Sequence, residues 1–118
     1  RSLTLMLERL GYAATAASGG QEALERARSD SFDLVFMDIG MPGLDGREAT
    51  RRIRHNSEHP AVPWIVAFTA MTGPNARNTW LAAGMNDCLL KPFRADELVE
   101  VLGRSFRALQ QVRGQTIN

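Results

Sequence analysis

Phe32-Asp33-Leu34-Val35-Phe36-Met37-Asp38-Ile39-Gly40-Met41-Pro42-Gly43-Leu44-Asp45-Gly46 is the stretch that decides how the chain folds. Residues 32 to 38 are mostly apolar, rich in aromatic and branched side chains, and bounded downstream by Gly and Pro. That is the pattern of a short strand buried on both faces of a parallel sheet. Asp38 then falls at the strand's carboxyl end. Ligands of open α/β sheets bind in the crevice outside such ends, so an aspartate there is placed to react rather than to pack. A turn or helix-capping aspartate is the structural alternative, because Asp commonly starts turns and caps.

Downstream, the Met41-Pro42-Gly43 turn leads into a helix carrying Ala49 and Ile53, and His55 to Pro63 reads as a polar connection. Both histidines, His55 and His59, fall there without partners at metal-ligand spacing, so they are assigned no chemistry. Pro63 to Phe68 is an apolar strand ending at Thr69. A loop through Thr72-Gly73-Pro74 follows, then a helix with Trp80 and Leu81 up to Gly84. Cys88-Leu89-Leu90 makes a short strand ending at Lys91-Pro92. Leu98, Val101, Leu102, Phe106 and Leu109 stripe a last helix, and residues 110 to 118 form a polar tail or linker.

Upstream, Leu3, Met6, Leu7 and Leu10 fall at i, i+3, i+4 and i+7 of an amphipathic helix, with Gly11 as its stop. Tyr12 to Ala17 is an alanine-rich strand candidate, and Ala23, Leu24 and Ala27 are spaced for a helix over Gly20 to Arg28. This regular alternation, closed by right-handed crossovers, predicts an α/β domain with a doubly wound parallel sheet. All strands of such a sheet end on one edge. Asp38, Thr69 and Lys91 are each at a strand end, so three polar groups from separate strands should converge over one site.

Composition narrows the classes. The 118 residues are 44% hydrophobic, with 14 basic and 13 acidic side chains and a net charge of +1, which describes one globular domain without the electrostatic footprint of a nucleic-acid binder. No apolar run approaches the roughly 20 residues that span a bilayer, so no membrane contact is expected. Cys88 is the only cysteine, which excludes an internal disulfide and any Cys-based metal site and suits a reducing, cytoplasmic setting. The chain opens at Arg1 without an initiator Met and is expected to be a piece of something longer.

With these residues assembled, the chain resembles a response-regulator receiver domain, the phosphoacceptor module of two-component signalling. The resemblance rests on Met37-Asp38-Ile39-Gly40-Met41-Pro42 with Asp45-Gly46, on Phe68-Thr69-Ala70, on Ala83-Gly84-Met85-Asn86-Asp87 and on Leu90-Lys91-Pro92-Phe93. The Gly84-Met85-Asn86-Asp87 wording looks most like the receivers of hybrid sensor histidine kinases. The resemblance implies a flavodoxin-like receiver fold over residues 1–109. It makes Asp38 the nucleophile that takes a phosphoryl group from a histidine kinase or histidine phosphotransfer domain. Lys91 supplies a fixed positive charge to the phosphoryl oxygens, and Thr69 a hydroxyl that moves onto them. A carboxylate forms a reactive acyl phosphate, and its catalysis is positioning plus charge neutralisation. Gly40 is implied to offer its backbone carbonyl to Mg²⁺, beside Asp38, and Lys91-Pro92 to be a cis peptide.

The chain departs from the family in three ways. The receivers' first strand, ending in the acidic pair that holds Mg²⁺, does not appear in this sequence. In the family it lies between the strands placed here at 12–17 and 32–38, and its loss leaves a gap about twice the ~4.8 Å strand spacing. A borrowed strand, making a swapped dimer, is one way to fill that gap; a disrupted sheet is the other outcome, and this chain alone is expected to hold Mg²⁺ poorly. Cys88 stands where the family usually has a switching aromatic ring, so coupling is expected to run from Thr69 through the Met71 to Asn75 loop. Gly40 and Met71 leave no polar side chain to orient a hydrolytic water. Two alternatives remain open: a degenerate receiver that only binds partners, and an aspartate-nucleophile phosphatase of the haloacid-dehalogenase type. The latter needs a second Asp two residues past the first, where this chain has Gly40.

Overall fold

The computed structural model describes residues 3–39, 45–56 and 63–117, with side chains through residue 112. Helices α1 (Leu3–Arg9), α2 (Gly20–Ser29), α3 (Gly46–Asn56), α4 (Pro74–Ala83) and α5 (Ala95–Ile117) alternate with strands β1 (Leu34–Asp38), β2 (Trp64–Thr69) and β3 (Asp87–Leu90). The strands form one parallel sheet in the order β1-β2-β3. Asp38 is level with Phe68, and Thr69 with Leu90, so the three carboxyl ends share one edge as the alternation required.

The two-residue period of the strands sorts side chains between two apolar layers. Val66 and Phe68 of β2 pack with Leu98, Val101 and Leu102 of α5 and with Leu3, Met6 and Leu7 of α1. Ile65 and Ala67, one residue out of phase, join Leu24 of α2, Ala49 and Ile53 of α3, and Trp80 and Ala83 of α4. Helices therefore cover both faces, which is the doubly wound arrangement. Burying each large aliphatic side chain contributes about 1.5–3 kcal/mol, and this holds the strand ends rigid.

The Gly84-Met85-Asn86-Asp87 run is a structural splice between α4 and β3. Gly84 ends α4 in the left-handed region at φ 103°, where a side chain would be strained. Met85 drops into the core. The Asn86 side-chain carbonyl then accepts the Ile65 N–H at 2.8 Å while the Asn86 backbone N–H donates to the Ile65 carbonyl at 2.7 Å, so β3 enters in register. Arg54 of α3 reaches across to donate to the Gly84 and Asn86 oxygens and to the Pro63 carbonyl. Asp87 accepts the Cys88 N–H and pairs with Arg104 of α5 at 2.9 Å.

Three expectations need correction. Residues 12–17 are not a strand: they belong to no ladder, and with β1 they line a cleft of about 660 Å³ whose walls include Leu7, Ala23, Leu102 and Phe106. An alanine-rich run has weak strand preference, and a strand without a hydrogen-bonded neighbour is not stable. Tyr12 is instead held by stacking on Phe106, with ring centroids 5.5 Å apart. The last helix does not stop before the polar segment from residue 110, because α5 continues to Ile117; Gln and Arg are good helix formers, so polarity there is no stop signal. His55 lies inside α3 rather than in a connection, whereas His59 and the Met41-Pro42-Gly43 turn are outside the described residues.

Candidate functional site

Backbone hydrogen bonds lock the three strand ends before any side chain is considered. The Ile39 N–H, just past β1, donates to the Phe68 carbonyl at 3.3 Å, and the Lys91 N–H, just past β3, donates to the Thr69 carbonyl at 2.8 Å. Asp38, Thr69 and Lys91 are thus anchored to the same stretch of β2. Lys91 Nζ donates to Asp38 Oδ2 at 2.7 Å, and the two side chains are 35% and 34% exposed, open enough for a reactant to reach the carboxylate. The Lys91-Pro92 bond is cis, as the resemblance implied.

Thr69 is buried. Its hydroxyl oxygen accepts the Met71 N–H at 3.0 Å, which brackets the start of the loop before α4. A hydroxyl also carries one proton to donate, so the same group can serve the loop and an anion at the strand ends. Cys88 is partly buried against the α2–α4 layer; burial and the Asp87 carboxylate push its thiol above the ordinary range, so it is an inert packing group at neutral pH.

Gly46 explains why α3 begins where it does. A Cβ at that position would run into the Asp38 backbone carbonyl and come within 3.0 Å of Met37 Cγ, so only glycine lets the helix start against the end of β1. Asp45 caps that start. Its carbonyl accepts the Ala49 N–H at 2.9 Å, and its carboxylate takes both the guanidinium and the N–H of Arg47, which hold it below the usual carboxylate range.

The residues expected at the site are therefore brought together in part. Asp38 and Lys91 are in direct contact, Thr69 is at the adjoining strand end, and Gly40 lies outside the described residues. Sequence reasoning quoted Gly46 and Phe68 only as parts of motifs, and it missed that the Phe68 ring centroid is 4.7 Å from Lys91 Nζ. The available signal was an aromatic residue directly before a strand-end threonine. Arg54 carried no signal, because one arginine on a helix with several looks like a solvated face. Among the described residues no three His, Cys, Asp or Glu side chains cluster to hold a metal, and Asp38 brings one carboxylate. A strongly hydrated Mg²⁺ that seeks six oxygens is not held by that set alone.

Comparison with known proteins places the same features in context. The response regulator receiver domain profile matches residues 1–103. The sensor protein GacS of Pseudomonas syringae is 39% identical over 100 residues, covering 82% of this chain and 11% of GacS. The transcription factor SKN7 of Chaetomium thermophilum is 45% identical over 100 residues, 83% of this chain and 13% of SKN7. The chain thus spans about a tenth of the length of these curated relatives. Among solved structures, the receiver domain of the sensor histidine kinase PA1611 from Pseudomonas aeruginosa superimposes with a TM-score of 0.78 at 40% identity, covering 86% of this chain and 83% of that one; it has a magnesium ion coordinated in its active-site cleft.

Proposed function

Since the chain belongs to the response-regulator receiver family and is a phosphoacceptor module of two-component signalling, we propose that Asp38 is the residue that takes the phosphoryl group. The contact that carries this reading is Lys91 Nζ at 2.7 Å from Asp38 Oδ2, on the edge where three strands end. A carboxylate oxygen of Asp38 forms the new O–P bond as the P–N bond to the donor imidazole breaks. The imidazole nitrogen takes up a proton as it leaves. Lys91 neutralises charge on the phosphoryl oxygens, and the Thr69 hydroxyl turns from its bracket on Met71 to donate to them, which moves the Met71 to Asn75 loop. Cys88 takes a passive part in that switch.

The donor is a histidine kinase or a histidine phosphotransfer domain, and the parent protein is a hybrid sensor kinase working in the cytoplasm, where ATP supplies the phosphate. This domain is regulatory and performs no turnover of its own, a reading that the match to receivers supports over the haloacid-dehalogenase alternative. The receiver unit covers residues 1–109, and the rest of α5 serves as a linker. The cleft between residues 12–17 and β1 is the place for one more extended strand, supplied by the parent protein or by a second copy. In the full-length protein Asp38 and the Gly40 backbone carbonyl would hold Mg²⁺ together with further oxygen ligands, and the ion would supply charge neutralisation there.

The test is acid-labile labelling of the full-length protein from a phosphohistidine donor. Asp38→Asn is expected to abolish it; undiminished labelling of that variant contradicts the assignment.

A further inference from the structure

The Asp38 and Lys91 side chains are each about a third exposed, so water competes with their ion pair and that pair alone does not fix where the ammonium sits. A second contact does. Lys91 Nζ lies 4.7 Å from the centroid of the Phe68 ring, within the range at which a cation is attracted to an aromatic face. The ring is itself braced: Phe93 meets it edge-on, with centroids 5.6 Å apart and planes at 69°. Phe68 is one residue before the end of β2 and Phe93 two residues past Lys91, so the seat is built into the same strand ends as the site.

We propose that Phe68 is a positioning residue for phosphoryl transfer, its ring face holding the Lys91 ammonium over Asp38 while Phe93 keeps that ring upright. The proposal rests on the reading of Asp38 as the phosphoacceptor. A four-carbon stem leaves an ammonium many rotamers, and a flexible charge loses part of its effect on a developing anion. The negative face of the ring removes some of that freedom at little cost in solvation, because the far side of the ammonium stays wet. A leucine at position 68 would fill much of the same space without a quadrupole; a tyrosine would keep the face.

The experiment compares Phe68→Leu and Phe68→Tyr in the full-length protein, each with Lys91 intact and with Lys91→Ala, by the initial rate of labelling from phosphoramidate. Phe68→Leu is expected to slow labelling about three- to tenfold, and Phe68→Tyr to keep nearly the full rate. With Lys91→Ala present, Phe68→Leu should cause no further loss. Equal losses with and without Lys91, or a Tyr variant as slow as the Leu variant, would mean that Phe68 acts by packing and would overturn the proposal. A second readout needs no phosphoryl chemistry and uses the 118-residue chain by itself, in which Lys91 is the only lysine, so that its side-chain proton signals are unambiguous. They should be shifted upfield by the ring and return downfield in Phe68→Leu; unshifted signals in the unsubstituted protein overturn the seat. Failure of the unsubstituted protein to label at Asp38 is a different result, which refutes the parent reading, and the role of Phe68 in transfer with it.

Discussion

β1 has two unlike sides. Its inner edge is laddered to β2 and, through β2, to β3; its outer side faces the cleft shared with residues 12–17 and has no strand partner among the described residues. The end of β1 carries the chemistry because the inner ladder fixes Asp38 relative to Thr69 and Lys91. The outer side shows the reverse: a segment in the right neighbourhood does not become a strand without a backbone to bond to. Side-chain placement here is inherited from ladders.

The largest expected contrast is in amide exchange. In this chain, β2 amides should exchange most slowly and those of residues 12–17 fastest, with rates at least about a hundredfold apart and β1 between them. Hydrogen-exchange mass spectrometry measures this. Residues 12–17 as protected as β2 would break the comparison; added protection of β1 in the full-length protein would sharpen it by showing a strand in the cleft.

Gly46→Ala probes the fixed side. The added methyl meets the Asp38 carbonyl and the Met37 side chain, so thermal or urea unfolding should show about 1–3 kcal/mol of lost stability, with slower labelling at Asp38. Unchanged stability would mean that the start of α3 does not constrain the end of β1.

The smallest effect belongs to the loose side, at the start of α2. Glu22 is held down from its ordinary value of 4.5 to about 2 by the Ser18 N–H, then by the Ser18 hydroxyl and by Arg26. A carboxyl depressed in the folded state contributes stability above its unfolded value and loses it as pH falls from about 4.5 to about 2. Glu22→Gln should flatten a small part of the acid limb of the stability profile and leave neutral-pH labelling unchanged. An unaltered acid limb would remove Glu22 from the account.

The same contrast explains what the sequence disclosed. The strand ending at Asp38, the strand-end Thr69 and Lys91, and the Gly84 stop were legible because each pairs an apolar run with a residue type that marks its end. Residues 12–17 were misread because a weak, alanine-rich pattern was taken for a strand although the neighbour it would pair with does not appear in the sequence. The Phe68 seat and the Arg54 bracket were invisible for another reason: both depend on side chains meeting across the sheet from distant positions. The length of α5 was misjudged because polarity was taken for irregularity, whereas Gln and Arg extend a helix readily.

The account depends on Asp38 as the phosphorylated atom's home. Borohydride reduces an acyl phosphate to the corresponding alcohol, so phosphorylated full-length protein treated with borohydride and mapped by tandem mass spectrometry should show homoserine at position 38. Homoserine at another aspartate, or incorporated phosphate with Asp38 unreduced, would contradict the account.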